Sequence, residues 1–300
     1  MGSAFRKDTF GSFHPIVNLL YFILVIGCAM FFMHPIFLAV SLTCAFAYAV
    51  YLNGKKALRM GIRLMLPMLL FTALLNPLFN HQGMTILAYL PNGNPLTLES
   101  TLYGIAAAVV LITVISWFSC VNAVMTSDKL VYLFGRIAPA LSLILAMALR
   151  LVPRFWVQIK VISNAQKCIK RDVRNGNLLQ KARQGIRILS ILLTWALENA
   201  IETADSMKGR GYGLPGRTAF SIFRFDRRDG WAMVYILTCA AIVIVGAARG
   251  VQYFRYFPAI SGQWNGWTLI VFAAYFAMGA FPLIVNWKED FLWKRIESNI

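Results

Sequence analysis

The sequence predicts an all-α, polytopic membrane protein with about six transmembrane helices and a long run of amphipathic helices between the fourth and the fifth. Three observations predict it. Hydrophobic residues fill 59% of the 300 positions, with 22 Phe and 8 Trp, and charged residues only 14%; soluble domains are built differently. Several apolar runs reach the roughly 20 residues that a helix needs to cross a bilayer. Finally, of 29 Lys and Arg, 18 fall within residues 126–230, against 7 Asp and Glu there. In a soluble chain a formal charge of +17 would suggest nucleic acid. Concentrated in one central block of an oily chain, it is the positive-inside bias of a membrane protein. The alternating pattern of an outer-membrane barrel is absent.

The elements follow in order. A short polar start with Arg6 and Lys7 leads to a first span from about Pro15 to Met33, and a second follows His34-Pro35 to about Leu52. Proline suits both starts, because its missing N–H has no helical partner there. Asn53-Gly54 closes the second span, and Lys55, Lys56, Arg59 and Arg63 mark a cytoplasmic connection. The third span runs over about 62–79, interrupted by Pro67 and closed near Asn76-Pro77. Residues 80–99 hold Glu99 but no Lys or Arg. They read as an outer loop rather than a domain. The fourth span is expected from about Leu102 to Met125, with Trp117 either near its inner interface or packed inside.

Within 126–230, Ser127 can cap a short helix over 128–135, and Pro139 opens an apolar helix that Pro153 breaks or kinks. Residues 154–172 are amphipathic, and the charged tract from Lys170 to Gly176 reads as a connector. Asn177 and Gln180 form a capping-box pattern for a helix to about Met207, roughly 45 Å long, with a break possible at Gly185. A basic loop, 213–230, carries Arg217, Arg224, Arg227 and Arg228. A fifth span, about Trp231 to Ala248, an aromatic outer loop with Arg249 and Arg255, and a sixth span, about Gly266 to Trp287, end in a charged interfacial tail. The chain thus divides into 1–125, 126–230 and 231–300, with both termini inside.

No catalytic constellation emerges. His14, His34 and His81 are dispersed, and the five cysteines form no metal-ligand spacing. A phosphate-binding loop with its lysine is missing, and acidic residues that would couple protons or sodium are essentially absent from the spans. A stand-alone secondary transporter needs polar groups converging at mid-membrane. A membrane-interface enzyme needs a convergent His/Asp/Glu site. The enzyme's site cannot be assembled from these residues, and the transporter is weakly supported; both stand as alternatives.

The stretch from Trp195 to Gly213 is different in kind. Glu198, Glu202 and Asp205 share one helix face. Ala196, Ala200 and Ala204 form a stripe of small side chains suited to close helix crossing, and Arg210 stands between Gly209 and Gly211. The acidic face has a plain reading as a solvated face, and Arg210 as a cation favoured by the helix dipole. The flanking glycines favour docking, since they let another backbone approach a rigid guanidinium fork.

Ala204-Asp205-Ser206-Met207-Lys208-Gly209-Arg210-Gly211-Tyr212 resembles the segment that marks the transmembrane T component of energy-coupling factor (ECF) transporters, the family that includes the cobalt-transporter permease subunit. Ala148-Leu149-Arg150-Leu151-Val152-Pro153 resembles the arginine–apolar–Pro segment opening a coupling helix there, and His14-Pro15 its N-terminal motif, with Asn18 where a lysine is common. The resemblance implies long cytoplasmic coupling helices, each ending in a short arginine motif that docks in one of two cytoplasmic ABC ATPases. The second motif maps onto Gly209-Arg210-Gly211. At the first, Ile169 stands where the arginine would be, and Lys167, Lys170 and Arg171 are the nearby cations. Arg150, Pro153 and the three alanines would serve where the helices 139–172 and 177–211 cross beneath the membrane. The resemblance also implies a non-catalytic subunit of a bacterial plasma membrane importer. Such a subunit binds no cofactor or metal itself, its partner ATPases use ATP and magnesium, and a separate S component carries a vitamin or metal ion.

Overall fold

Two apolar helices open on the same three residue types, histidine, proline and isoleucine. In the computed structural model, which describes residues 8–55, 59, 61–89, 94–169, 177–214, 223–262 and 266–298 apart from the side chains at 62, 64, 136, 137, 139 and 140, helix α1 spans Pro15–Phe31 and α2 Pro35–Asn53. His14 Nδ1 accepts the amide of Ile16, and His34 Nδ1 that of Ile36, each at 3.3 Å. Proline in the first turn removes one orphan N–H and the imidazole takes another. Burial holds His34 below the ordinary histidine pKa, which keeps its ring neutral and the accepting lone pair available.

A wide helical turn, Gly61–Met65, leads into α3, Leu66–Phe79. Strands β1 (Ile86–Tyr89) and β2 (Pro95–Thr97) pair antiparallel before α4, Leu98–Val124. Then come α5 (Ser127–Ile137), α6 (Pro139–Cys168) and α7 (Leu178–Gly209). Helix α8 (Arg227–Ala248), a two-residue ribbon of β3 (Phe254–Arg255) with β4 (Ser261–Gly262), and α9 (Gly266–Glu297) complete the chain. Among the described residues five helical stretches are long and apolar enough to cross a membrane: α2, α4, α6 from Leu141, α8 and α9. Helices α1 and α3 are apolar but shorter, at 17 and 14 residues.

The chain forms two compact units, one of residues 1–126 with 223–300 and one of 127–222. In the first, α4 packs on α1, α2 and α3, α2 packs on α9, and α8 lies against both α1 and α9. Gly104 sets the α3–α4 distance. A methyl group there would sit 2.9 Å from Asn76 Cβ and 3.1 Å from the Ala73 carbonyl oxygen, so only a bare Cα fits. Asn76 Nδ2 then donates to the Ser100 carbonyl at 2.8 Å. Trp117 is fully buried and donates from Nε1 to Ser41 Oγ at 3.1 Å, which makes it a packing residue.

Residues 8–14 are drawn into this bundle. Phe10 is 0% exposed and lies among the rings of Phe13, Tyr21, Phe22, Tyr48 and Phe281. Burying its backbone requires acceptors, and Asn286 Oδ1 on α9 receives the amides of Thr9 (2.8 Å) and Phe10 (3.2 Å). Asn286 Nδ2 donates to Asp8 Oδ1 at 2.7 Å, and Tyr48 OH donates to Asp8 Oδ2 at 3.1 Å. Asp229 in the first turn of α8 accepts the His14 amide at 3.1 Å, while Arg228 donates to Ser12 Oγ at 3.0 Å and lies over the Phe13 ring.

At the opposite helix ends, Glu99 is buried and accepts the amide and hydroxyl of Thr85 (3.2 and 2.8 Å). Thr97 donates to the Gln82 carbonyl and Ser100 to that of Asn80. Tyr256 donates to the Met33 carbonyl at 2.8 Å and packs with Leu38 and Ala106.

Several sequence expectations change. Residues 80–99 are not all loop, because Thr97 caps α4 and starts it at Leu98, with a ribbon before it. Pro67 lies in the first turn of α3, directly after the wide turn Gly61–Met65, so the stretch 61–79 changes helix type beside it. Pro153 does not break α6, which runs through it for 30 residues, and Gly185 does not break α7. Arg227 and Arg228 belong to the first turn of α8, opened by a capping box of Asp226 and Asp229, rather than to a loop. Helix α9 continues through the charged tail to Glu297, where Asp290 accepts from Tyr51 OH at 3.1 Å.

Candidate docking surface

The second unit holds the residues that the sequence singled out. Its first corner is tight. Ser142 Oγ donates to the Val131 carbonyl at 2.8 Å, and a methyl group on Gly135 would lie 2.9 Å from that oxygen. Helices α6 and α7 meet where Phe155 and Trp195 pack edge to face, 6.0 Å between ring centroids. Asn177 and Gln180 do form the capping box, with Gln180 Oε1 accepting the Asn177 amide at 3.3 Å. From there α7 runs 32 residues without one buried side chain.

Its far end is closed by a defined hydrogen-bond pattern. Tyr212 N–H donates to the Met207 carbonyl at 3.0 Å and Gly211 N–H to that of Lys208 at 2.9 Å. Gly211 has φ of +76°. This is a Schellman closure, with Gly211 in the left-handed position that glycine occupies without steric cost. Arg210 is the last residue before the reversal, with its side chain exposed. Gly209, by contrast, lies inside the helix, and a methyl group there would meet nothing within 4 Å. The two glycines therefore do different work: Gly211 turns the backbone, and Gly209 leaves the surface bare beside the guanidinium.

The other predicted residues scatter along this surface. Glu198, Glu202 and Asp205 are exposed on α7. Of the alanine stripe, Ala196 is half-buried, and Ala200 and Ala204 are exposed. Arg150 and Pro153 are exposed on α6, as are Lys167 and Ile169 at its end. Lys170 and Arg171 lie outside the described residues. Ile186, Leu189, Leu193, Leu197 and Ile201 are all at least 60% exposed and recur every three or four residues, one face of a helix. The apolar run 186–197 suggests by itself a helix partly buried against other helices, yet none of its residues is buried here. Among the described residues no three His, Cys, Asp or Glu side chains gather as a metal site.

Among the described residues this surface carries an apolar stripe, an acidic patch and several exposed cations, with Arg210 at the closed end of α7. The family model described as CbiQ, cobalt transport protein, matches residues 13–220. The chain is similar to the energy-coupling factor transporter transmembrane protein EcfT of Lactobacillus helveticus, 29% identical over 106 residues covering 35% of this chain and 38% of the relative. It is 34% identical to the protein of that name from Lactococcus lactis over 106 residues, 35% of this chain and 40% of the relative. Against that of Streptococcus thermophilus it is 30% identical over 193 residues, 61% of this chain and 73% of the relative. The chain thus spans about two fifths of the length of the first two relatives. It belongs to the CbiQ/EcfT family of energy-coupling factor transporter T components, which are non-catalytic transmembrane transport subunits.

Proposed function

We propose that this chain is the scaffold and lever of an ECF-type importer. Two cytoplasmic ATPases bind and hydrolyse ATP with magnesium. The helices of the second unit pass their motion to a separate substrate-binding membrane protein, which reorients to release a vitamin or a transition-metal ion inward. In this reading α1, α2, α3, α4, α8 and α9 cross the bacterial plasma membrane with both termini inside, and the basic segment 126–230 faces the cytoplasm.

The observation that carries the reading is Arg210, exposed at the Schellman-closed end of a long helix with no buried residue. The closure fixes the backbone that carries the guanidinium, so little ordering entropy is lost when the fork meets a carboxylate in a groove. The apolar stripe Ile186–Ile201 supports the same reading, since an exposed apolar face of that size calls for a partner or lipid to cover it. Lys167 is the described cation nearest the position of the first arginine motif; a lysine there makes a weaker, single-point contact.

The test is co-purification of the tagged chain with a cognate pair of ABC ATPases, together with uptake in cells. Arg210→Glu is expected to lose most of both. Full ATPase association and full uptake by that variant refute the docking role.

A further inference from the structure

Within the first unit, the ends of α8 and α9 near the 249–262 connection line an apolar groove of about 230 Å³. Ala241, Val245, Val251 and Val271 are among its walls, and Arg249 and Trp267 stand at its mouth. From Ala241 to Arg249 the helix rises about 12 Å, close to the roughly 15 Å depth of one hydrocarbon leaflet. The wall is not sealed: Val245 is 52% exposed on a helix apolar enough to cross the membrane. At the mouth the Arg249 guanidinium carbon lies over the Trp267 ring, 5.4 Å from its centroid, and both side chains are exposed. That distance is within cation–π range, so the cation is held at the rim instead of sweeping through solvent.

The charge at this end is unusual. Residues 249–265 contain Arg249 and Arg255 and no carboxylate, although an external connection is expected to be poor in cations. An unbalanced arginine above an apolar groove, beside an interfacial tryptophan, matches one ligand in every part. It is a molecule with a fatty chain and an anionic head at the depth of a bilayer headgroup.

We propose that this groove is a binding site for an anionic phospholipid, with an acyl chain between α8 and α9 and the phosphate on Arg249. The guanidinium offers the phosphate two parallel N–H donors. The lodged chain fills the space between Val245 and Val271 with the dispersion contacts that an empty groove lacks. The site rests on these helices being in the membrane and is independent of ATPase docking.

Native mass spectrometry of the full-length protein, released from bilayers containing equal phosphatidylglycerol and phosphatidylcholine, tests it. The wild type is expected to retain phosphatidylglycerol selectively. Arg249→Gln is expected to lower that retention about tenfold or more, the scale of one charge-assisted hydrogen bond. Val245→Trp, which fills the groove, is expected to lower it too, with Ala241→Leu as a milder filler if the first variant does not fold. ATPase association should be unchanged in all three variants, which separates this outcome from a failure at Arg210. Equal retention of both lipids, retention unchanged by Arg249→Gln, or a protein subunit seated there in place of lipid overturns the proposal.

Discussion

The amide of Tyr212 reaches back over Gly211 to the carbonyl of Met207, 3.0 Å away, and in doing so places Arg210 at the apex of the last helical turn. The link is a backbone one, so its strength depends on Gly211 more than on Arg210. Substitutions at the three neighbouring residues should therefore separate into three behaviours.

Gly211→Ala forces a side chain into φ of +76°, at a cost of about 1–2 kcal/mol, and its new methyl would lie 3.0 Å from Leu214 Cδ1. The turn should open while Arg210 is still present. Faster hydrogen exchange at the Gly211 and Tyr212 amides, with weaker ATPase co-purification, is the expected pair of results.

Gly209→Ala should do the reverse to the helix, since the site is helical and open and alanine favours helix by about 0.5–1 kcal/mol. If the bare surface at Gly209 admits a partner backbone, co-purification should fall although the helix is more stable. Unimpaired binding would show that this glycine has no docking role.

Asn286 serves one part-buried amide, one buried amide and one carboxylate at once. Asn286→Leu removes the acceptor that the Thr9 and Phe10 amides share, at about 1–3 kcal/mol for the buried one. A lower melting temperature in detergent, and proteolysis before residue 15 under conditions where the wild type resists, should both appear.

His34 sets a pH dependence. Its folded pKa is depressed by burial, so between that value and the ordinary 6.5 the unfolded chain binds a proton that the folded chain does not. Stability is therefore fully present above about pH 6.5 and falls as the pH drops below it. His34→Asn, which can also cap a helix, should flatten this decline in a melting series from pH 7.5 to 5. An identical slope in the variant would assign the decline to other groups.

Much of this was legible in the sequence, for reasons that differ by element. The capping box at Asn177 and Gln180 and the glycine stop after Met207 are local chemistry, read from neighbours alone. The helices that cross the bundle were legible from hydropathy, since length and oiliness suffice. Glu99 misled because a carboxylate looks like a loop residue until Thr85 is known to donate to it. Pro153 does not end α6, which is helical on both sides of it, so of the expected break or kink only the break is ruled out. The alanine stripe gave a period alone, with Ala196 half-buried and Ala200 and Ala204 exposed. The histidines at 14 and 34 carried the least warning, for imidazole is an uncommon cap, although the repeated His-Pro-Ile is visible in hindsight. Nor could hydropathy foresee that residues 8–14 enter the core, since the contact that holds them is about 280 residues away.

That separation has a consequence for biogenesis. The ring of Phe10 and the amides beside it leave the ribosome well before their acceptor Asn286, which follows 276 residues later. This segment cannot complete its contacts until α9 has been made, so a chain stalled or truncated before residue 286 carries the aromatic segment around Phe10 without its Asn286 acceptor.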